Sequence, residues 1–290
     1  MSVKVKLRRF IARNFSTLIE YIYKLKFLNI NFDQEPILII TPGKVGSSSI
    51  YETIKGKLKN HVYHIHQFSE DSINNAISRN LKSDRKSRPL HLIISKLLRK
   101  KIEAYKGDIF IITIVREPIS RLISSFFQNT EVYKSQIEDR NLEINSKRSI
   151  ELIYNEFDKS FCEEVEQWFD SEIKNNFGID VFSDKFDYKK KYVIKHHKNN
   201  HLLLLRMEDM NEVFPTAIQE LLNLKSPLKL SNTNVGEMKH YGEVYYDIKS
   251  NLKFSDDVIE KVINSKYFRS FYEGDETKIR KKWSKPHTLK

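Results

Sequence analysis

Residues 37–50 read ILIITPGKVGSSSI, and this segment determines how the rest of the chain is organised. Its first four residues are apolar and three of them are β-branched, which is typical of a buried strand. A Pro-Gly turn follows, and helical character begins at Ser47. Such a strand–loop–helix unit directs backbone N–H groups and the positive end of the helix at an anion. The alternative is an ordinary joint in which a serine is the helix N-cap.

Apolar runs elsewhere predict four more strands, and the segments between them predict helices. The strands are expected at 62–66, 108–115, 192–194 and 202–205. Helices are expected at 47–58, 69–79, 90–104, 148–168, 209–223, 241–253 and 256–272, with another beginning at Pro118. This alternation predicts an α/β fold of three αβα layers with a mainly parallel central sheet. We expect a single domain over residues 30–290, preceded by a basic amphipathic segment over 1–29.

The formal net charge of +12 is concentrated at the two ends of the chain. Residues 1–29 and 278–290 each carry a net charge of +6, so that residues 30–277 are neutral. A nucleic-acid-binding fold usually carries its charge on a face of the folded body, so we do not expect a nucleic-acid partner. The single cysteine, Cys162, excludes an internal disulfide and favours a reducing, cytoplasmic location.

The N-terminal segment carries an apolar stripe at helical spacing. Ile11, Phe15, Leu18, Ile22 and Leu25 fall on one face of a helix and are surrounded by basic residues. Two interpretations are open. The helix lies on an anionic membrane surface, which would place the protein peripherally at the inner face of the membrane, or it packs on the domain.

A second candidate anion site lies in residues 115–127, which read VREPISRLISSFF. Arg116 follows a strongly apolar strand, at the end where open α/β sheets bind ligands. Ser120 and Ser124 share a helical face near that end. An arginine and a serine at this position could hold a phosphate through charge-assisted hydrogen bonds.

Together these segments resemble the sulfotransferases that use 3′-phosphoadenosine 5′-phosphosulfate (PAPS). The resemblance covers about residues 36–283 and includes Pro42 to Ser49, the eight-residue spacing from Arg116 to Ser124, and the LLRMED segment at 204–209. One extra residue lies between Pro42 and Lys44 relative to the family pattern. The C-terminal part is similar to a bacterial subgroup labelled as capsular polysaccharide synthesis proteins, through Asn234, Lys239, Tyr241, Tyr245, Tyr267 to Tyr272 and Lys282-Trp283.

The resemblance implies transfer of a sulfuryl group from PAPS to a hydroxyl of a saccharide or glycolipid, in capsule or surface-glycan synthesis. It implies a P-loop-like phosphosulfate-binding loop made by Gly43, Lys44, Val45, Gly46, Ser47, Ser48 and Ser49. Lys44 would stabilise the departing phosphate, and Arg116 and Ser124 would hold the 3′-phosphate. No metal is expected.

The acceptor hydroxyl also needs a base, and the sequence offers histidines at the end of the second strand. His64 and His66 point to one face of a strand, and histidine suits base chemistry near pH 7. We expect His66 to act, with His64 second, while Glu70 or Asp71 could replace them. The alternative is a polar strand end whose histidines are satisfied by hydrogen bonds.

Two other functions remain open from the sequence. A P-loop kinase is disfavoured because no GK[ST] motif is present and the strand before Arg116 does not end in Asp. A non-catalytic protein with the PAPS-binding fold is the other alternative.

Three further expectations concern structure. Arg206, Glu208 and Asp209 are expected to form a buried ion pair and a helix N-cap. The segment Arg280–Trp283 could cover the adenine or the 3′-phosphate of the donor or form a solvated terminal helix, and the solvated helix is favoured. His196, His197 and His201 are expected to lie in loops.

Overall fold

A five-stranded sheet forms the centre of the protein. In this computed structural model, residues 15–82, 88–128, 133, 136–137, 144–157, 161–231 and 242–285 are described. The strands are β1 (Ile37–Ile40), β2 (Val62–Ile65), β3 (Ile109–Val115), β4 (Tyr192–His197) and β5 (Asn200–Arg206), arranged in the order β2-β1-β3-β5-β4. Only β4 runs antiparallel to its neighbour. The predicted α/β class with a mainly parallel sheet is confirmed.

Helices occupy most of the remaining described chain. They are α1 (Ser16–Leu28), α2 (Ser47–Lys55), α3 (Glu70–Lys82), α4 (Leu90–Ala104), α5 (Pro118–Gln128), α6 (Ser146–Phe157), α7 (Phe161–Phe169), α8 (Asn175–Phe177), α9 (Met210–Leu222), α10 (Gly242–Asn251), α11 (Asp256–Asn264), α12 (Lys266–Phe271) and α13 (Glu276–Trp283). A π-helical turn, Asp170–Lys174, joins α7 to α8. No helix of these described segments is both long and apolar enough to cross a membrane.

Apolar side chains are buried on both faces of the sheet. All four residues of β1 are fully buried, which explains why its sequence is a continuous apolar run and does not alternate. Ile37 and Ile39 pack with residues of α2 and α9 on one face. Leu38 and Ile40 belong to the core of the opposite face, which includes residues of α4, α7 and α11 to α13. This double burial fixes both the position and the direction of β1.

Two predicted helices are divided in the structure. The helix expected at 256–272 is broken at Ser265, whose backbone is extended and whose hydroxyl accepts a hydrogen bond from the N–H of Phe268. Ser265 therefore ends one helix and caps the next. The helix expected at 148–168 is present as α6 and α7, and residues 158–160 lie outside the described chain.

Two of the structural expectations are wrong. The terminal segment is not a solvated helix, because Trp283 is completely buried and Ile279 is 4% exposed. These two side chains are four residues apart and share one face of α13. In the sequence, the many lysines around them make this apolar face hard to recognise. The histidines His196, His197 and His201 lie in the paired strands β4 and β5, not in loops.

Helix α1 packs on the domain, but not through the predicted apolar stripe. Phe27 is 6% exposed and Tyr23 packs against the same core, so these two residues form the inward face. The stripe residues Phe15, Leu18, Ile22 and Leu25 are between 42% and 53% exposed. Ile11 and the rest of residues 1–14 lie outside the described chain, as do Asn234, Lys239 and Tyr241.

Candidate anion-binding and catalytic site

The candidate site lies where the strand order reverses. After β1 the chain forms β2 on one side, then returns to form β3 on the other side of β1. In open α/β sheets, ligands bind in the crevice beyond the carboxyl ends of the strands at such a switch point. The loop after β1 begins at Thr41, and Arg116 directly follows β3. Both predicted anion-binding segments therefore flank this crevice.

The loop after β1 contains two residues in the left-handed conformation. Lys44 has a φ of 71° and Gly46 a φ of 80°. This conformation is strained for a lysine, and strained residues concentrate at functional sites. Val45 between them is fully buried and anchors the loop to the core. The N-cap of α2 is Gly46, so the alternative in which a serine caps this helix is wrong.

His64 in β2 and His66, which directly follows the strand, are connected to the loop. His64 Nε2 lies 2.8 Å from Ser47 Oγ, and His66 Nδ1 lies 2.8 Å from the carbonyl oxygen of Thr41. A carbonyl oxygen only accepts, so His66 must carry its hydrogen on Nδ1. The neutral ring then keeps its lone pair on Nε2. The two rings are 5.1 Å apart, as expected for side chains on one face of a strand.

The surroundings of His64 disfavour its protonated form. Burial lowers the pKa of His64 to about 4, and the positive charge of a protonated His66 adds to the effect. His64 is therefore neutral at pH 7 and accepts a proton only with difficulty. Its hydrogen-bond contact is with Ser47 Oγ, at the start of α2.

Arg116 joins the two halves of the site. Its guanidinium Nη1 donates a hydrogen bond of 2.8 Å to the carbonyl oxygen of Lys44. The Tyr267 hydroxyl accepts from the Arg116 N–H and donates to the Arg116 carbonyl, both at 3.0 Å. Tyr267 is buried, so the backbone of Arg116 is fixed by a residue far away in the sequence. The end of β3 is thereby tied to the loop after β1.

The helix that follows Arg116 is capped by a buried glutamate. The Glu117 carboxylate accepts hydrogen bonds from the backbone N–H groups of Ile119 and Ser120, and from the Ser120 hydroxyl. This is the geometry of a side-chain N-cap for α5. The indole Nε1 of Trp283 also donates to this carboxylate, at 3.2 Å. The C-terminal helix is therefore attached to the same strand end as Arg116.

A cavity of about 520 Å³ opens beside Arg116. Its lining combines five basic side chains with four carboxylates: Arg116, Arg206, Lys249, Lys278 and Lys282, with Glu117, Glu208, Asp209 and Asp275. Burial lowers the pKa of Lys282, whose Nζ lies 3.2 Å from Ser120 Oγ. Ser120 lines this cavity. Ser124 is half-buried one turn further along α5 and is not part of the lining.

Arg206 and its neighbours organise the far wall of this cavity. Arg206 Nε lies 2.8 Å from a carboxylate oxygen of Asp209, and Arg206 Nη2 lies 3.0 Å from one of Asp275. The predicted ion pair is confirmed. Asp209 is the N-cap residue of α9, as predicted, but its side chain makes no hydrogen bond to that helix. Burial raises the pKa of Glu208, which accepts from the Glu117 N–H and the Tyr272 hydroxyl.

The segment after β2 is held from the opposite side by α7 and the π-helical turn. Trp168 Nε1 donates 2.9 Å to the carbonyl oxygen of His66. The buried carboxylate of Glu172, in the π-helical turn, accepts from the backbone N–H groups of Phe68 and Ser69. Single π-helical turns often occur at functional sites. These contacts fix the backbone on both sides of Gln67 and so position His66.

The structure therefore brings together Lys44, Ser47, His64, His66 and Arg116 at one edge of the sheet. Sequence reasoning did not identify Glu117, Glu172, Lys249 or Lys278 as parts of the surroundings. It considered the segment with Lys282 and Trp283 as a cover for the donor but favoured a solvated helix. Their proximity to Arg116 depends on contacts between distant segments, and no local pattern encodes it.

The fold and the site together are those of an α/β protein whose candidate ligand site lies at the carboxyl ends of parallel strands. Residues 30–176 match the model of a family described as "Sulfotransferase family". Residues 141–273 match a second one, described as "Putative capsular polysaccharide synthesis protein". The first match covers just over half of the chain, and the chain belongs to the sulfotransferase family. No curated protein and no solved structure matches it significantly.

Proposed function

We propose that this protein transfers a sulfuryl group from PAPS to a hydroxyl of a saccharide or glycolipid. The observation that carries the proposal is the hydrogen bond from Arg116 to the carbonyl oxygen of Lys44. It joins the two segments that the family resemblance assigns to the two phosphate groups of the donor. They meet at the switch point of the sheet, where α/β proteins bind such ligands.

The residues present fit an anionic donor. Lys44 and Gly46 hold the loop in left-handed turns, and α2 begins directly behind it. Backbone N–H groups in such turns and at a helix start form anion-binding concavities. The Thr41 hydroxyl, buried at the start of the loop, has no hydrogen-bond partner among the described residues. A polar ligand would explain its position.

Each group then has a proposed task. The amides of Gly43, Val45 and Gly46 and the hydroxyls of Ser47, Ser48 and Ser49 bind the 5′-phosphate side. Arg116 binds the 3′-phosphate together with Ser124, and Ser120 and Lys282 are placed to assist because they line the cavity beside Arg116. When bound, PAPS supplies an activated sulfuryl group. Lys44 contributes the positive charge that stabilises the phosphate as it leaves.

We assign the role of base to His66. Its Nδ1 is engaged by the Thr41 carbonyl, so the neutral ring has Nε2 available to accept the proton of the acceptor hydroxyl. His64 is less suited because its pKa is lowered to about 4, and we assign it the task of orienting Ser47. Trp168 and Glu172 keep the chain around His66 in place.

The class of acceptor rests on the second family match. A description as a capsular polysaccharide synthesis protein supports a sugar hydroxyl as the site of sulfation. The presence of one cysteine in 290 residues supports a reducing, cytoplasmic location.

The test measures binding and transfer with a matched pair of variants. The protein is titrated with 3′-phosphoadenosine 5′-phosphate with and without Mg²⁺, and then incubated with labelled PAPS and surface-glycan precursors. Lys44→Ala should lower the transfer rate by about 10²–10³-fold, whereas Lys59→Ala, at an exposed lysine of the same region, should not. Full transfer by Lys44→Ala refutes the mechanism. Preference for Mg²⁺-ATP indicates a kinase, and tight binding without transfer to any acceptor indicates a non-catalytic protein.

A further inference from the structure

Helix α1 presents an apolar surface that no described part of the protein covers. Five large side chains, Leu18, Tyr21, Ile22, Leu25 and Leu28, are between 42% and 69% exposed. They follow the spacing of one helical face, opposite the face that packs on the core through Phe27. Single exposed apolar residues are common, but a contiguous group of this kind marks an interaction site.

A cationic cavity of about 410 Å³ lies beside this surface. It is formed between α1, α3 and α4 and includes Lys24, Arg88, Lys96 and Lys100, with Glu20 as its one acidic side chain. Glu20 pairs with Arg88 at 2.9 Å and with Lys24 at 3.4 Å. Among the described residues no carboxylate pairs with Lys96 or Lys100, and both are exposed on successive turns of α4.

The two features are continuous through Lys24. This residue lines the cavity, and it is three residues after Tyr21 and four before Leu28. Residues at these spacings are neighbours on a helix surface. A ligand that occupies the cavity with an anionic group would therefore extend its apolar part over the outward face of α1.

We propose that the outward face of α1 and the cavity beside it form a docking surface for an anionic phospholipid membrane, with a lipid phosphate entering the cavity. The combination matches an interfacial helix, whose apolar face enters the headgroup boundary while flanking basic residues meet anionic lipids. The cavity adds basic residues of α4 that the N-terminal sequence does not contain. This proposal is independent of sulfuryl transfer, because it uses no residue of the donor site.

The experiment measures sedimentation of the full-length protein with vesicles of phosphatidylcholine alone or mixed with phosphatidylglycerol. The protein should bind the mixed vesicles much more tightly, and added salt should weaken this binding. Lys96→Gln with Lys100→Gln should weaken vesicle binding by about 25-fold, from about 5-fold for each lysine. The matched control, Lys225→Gln with Lys261→Gln, removes two exposed lysines outside the proposed docking surface and should change vesicle binding little.

A second pair of variants tests the apolar face. Ile22→Ser with Leu25→Ser should weaken vesicle binding by about 100-fold, whereas Tyr246→Ser, which alters a side chain that is 63% exposed elsewhere, should not. All changes are at exposed positions, so the unfolding transitions should match that of the parent protein. Transfer to a soluble acceptor should also be unchanged, which separates this proposal from the proposed function.

Three results would overturn the proposal. Equal binding to neutral and anionic vesicles would show that the basic cavity does not contribute to docking. Binding of inorganic phosphate in the absence of vesicles, lost in the lysine variant but retained in the serine variant, would indicate a site for a soluble anion. A dimer in sedimentation velocity that Ile22→Ser with Leu25→Ser abolishes would show that a second copy of the chain covers the face.

Discussion

Acid should destabilise the folded protein through His64. Its pKa is lowered by burial, and secondarily by His66, from 6.5 to about 4. Well above pH 6.5 neither the folded nor the unfolded state holds the proton. As the pH falls below 6.5, the unfolded chain takes up a proton that the folded chain does not accept until about pH 4. The free energy of unfolding therefore falls over this interval and changes no further below it.

The magnitude follows from the size of the pKa difference. One pKa unit corresponds to about 1.4 kcal/mol, so a change from 6.5 to about 4 sets an upper limit of about 3.5 kcal/mol. The half-buried ring keeps some contact with solvent, which reduces the expected loss to about 2–3 kcal/mol. This is a large share of the stability of an ordinary domain.

The assay is urea unfolding at several pH values between 7.5 and 4, on the parent protein and on His64→Gln. This variant replaces Nε2 by an amide that can still meet Ser47 Oγ but does not titrate, so its stability should depend less on pH by about 2–3 kcal/mol over this interval. If His64→Gln and the parent lose stability in parallel, the argument from burial of this ring is refuted.

Other predictions concern helix α13, the proposed donor site and the π-helical turn. Trp283→Ala should lower the free energy of unfolding by about 3–5 kcal/mol; a loss below about 0.5 kcal/mol in urea unfolding would fit an exposed residue and contradict its burial. Arg116→Ala should weaken calorimetric binding of 3′-phosphoadenosine 5′-phosphate by about 10–100-fold, with partial recovery in Arg116→Lys; unchanged affinity would remove Arg116 from the donor site. Glu172→Gln should cost about 1–3 kcal/mol of stability because a buried carboxylate that accepts two backbone N–H groups is lost. Unaltered urea unfolding of this variant would show that the contact contributes nothing.

Much of the sheet and the first half of the site could be predicted from local patterns. The run of four apolar residues at 37–40 and the longer run before Arg116 each specify a buried strand, since few other structures bury every residue of a short segment. The loop between β1 and α2 was predictable because Pro, Gly, Lys and Ser follow such a strand directly. The pair His64 and His66 was predictable from the two-residue period of a strand.

Helix ends and the roles of polar segments were harder to predict. Ser265 divides a segment whose apolar periodicity continues on both sides, so that only the cap geometry reveals the break. Helix α13 looks polar because lysines surround Ile279 and Trp283, yet those two side chains are in the core. The apolar face of α1 was predicted correctly as a helical stripe, but its periodicity could not show which side would pack on the domain.

The sequence by itself determined the α/β class, the strands, the anion-binding candidates and their order along the chain, because these depend on the period and composition of single segments. Only the tertiary structure decided which segments meet: Arg116 with the Lys44 carbonyl, Glu117 with Trp283, and Glu172 with the segment after His66. The physical reason is that these hydrogen bonds join residues between 72 and 166 positions apart. Their geometry depends on how helices pack on the two faces of the sheet, which no local pattern specifies.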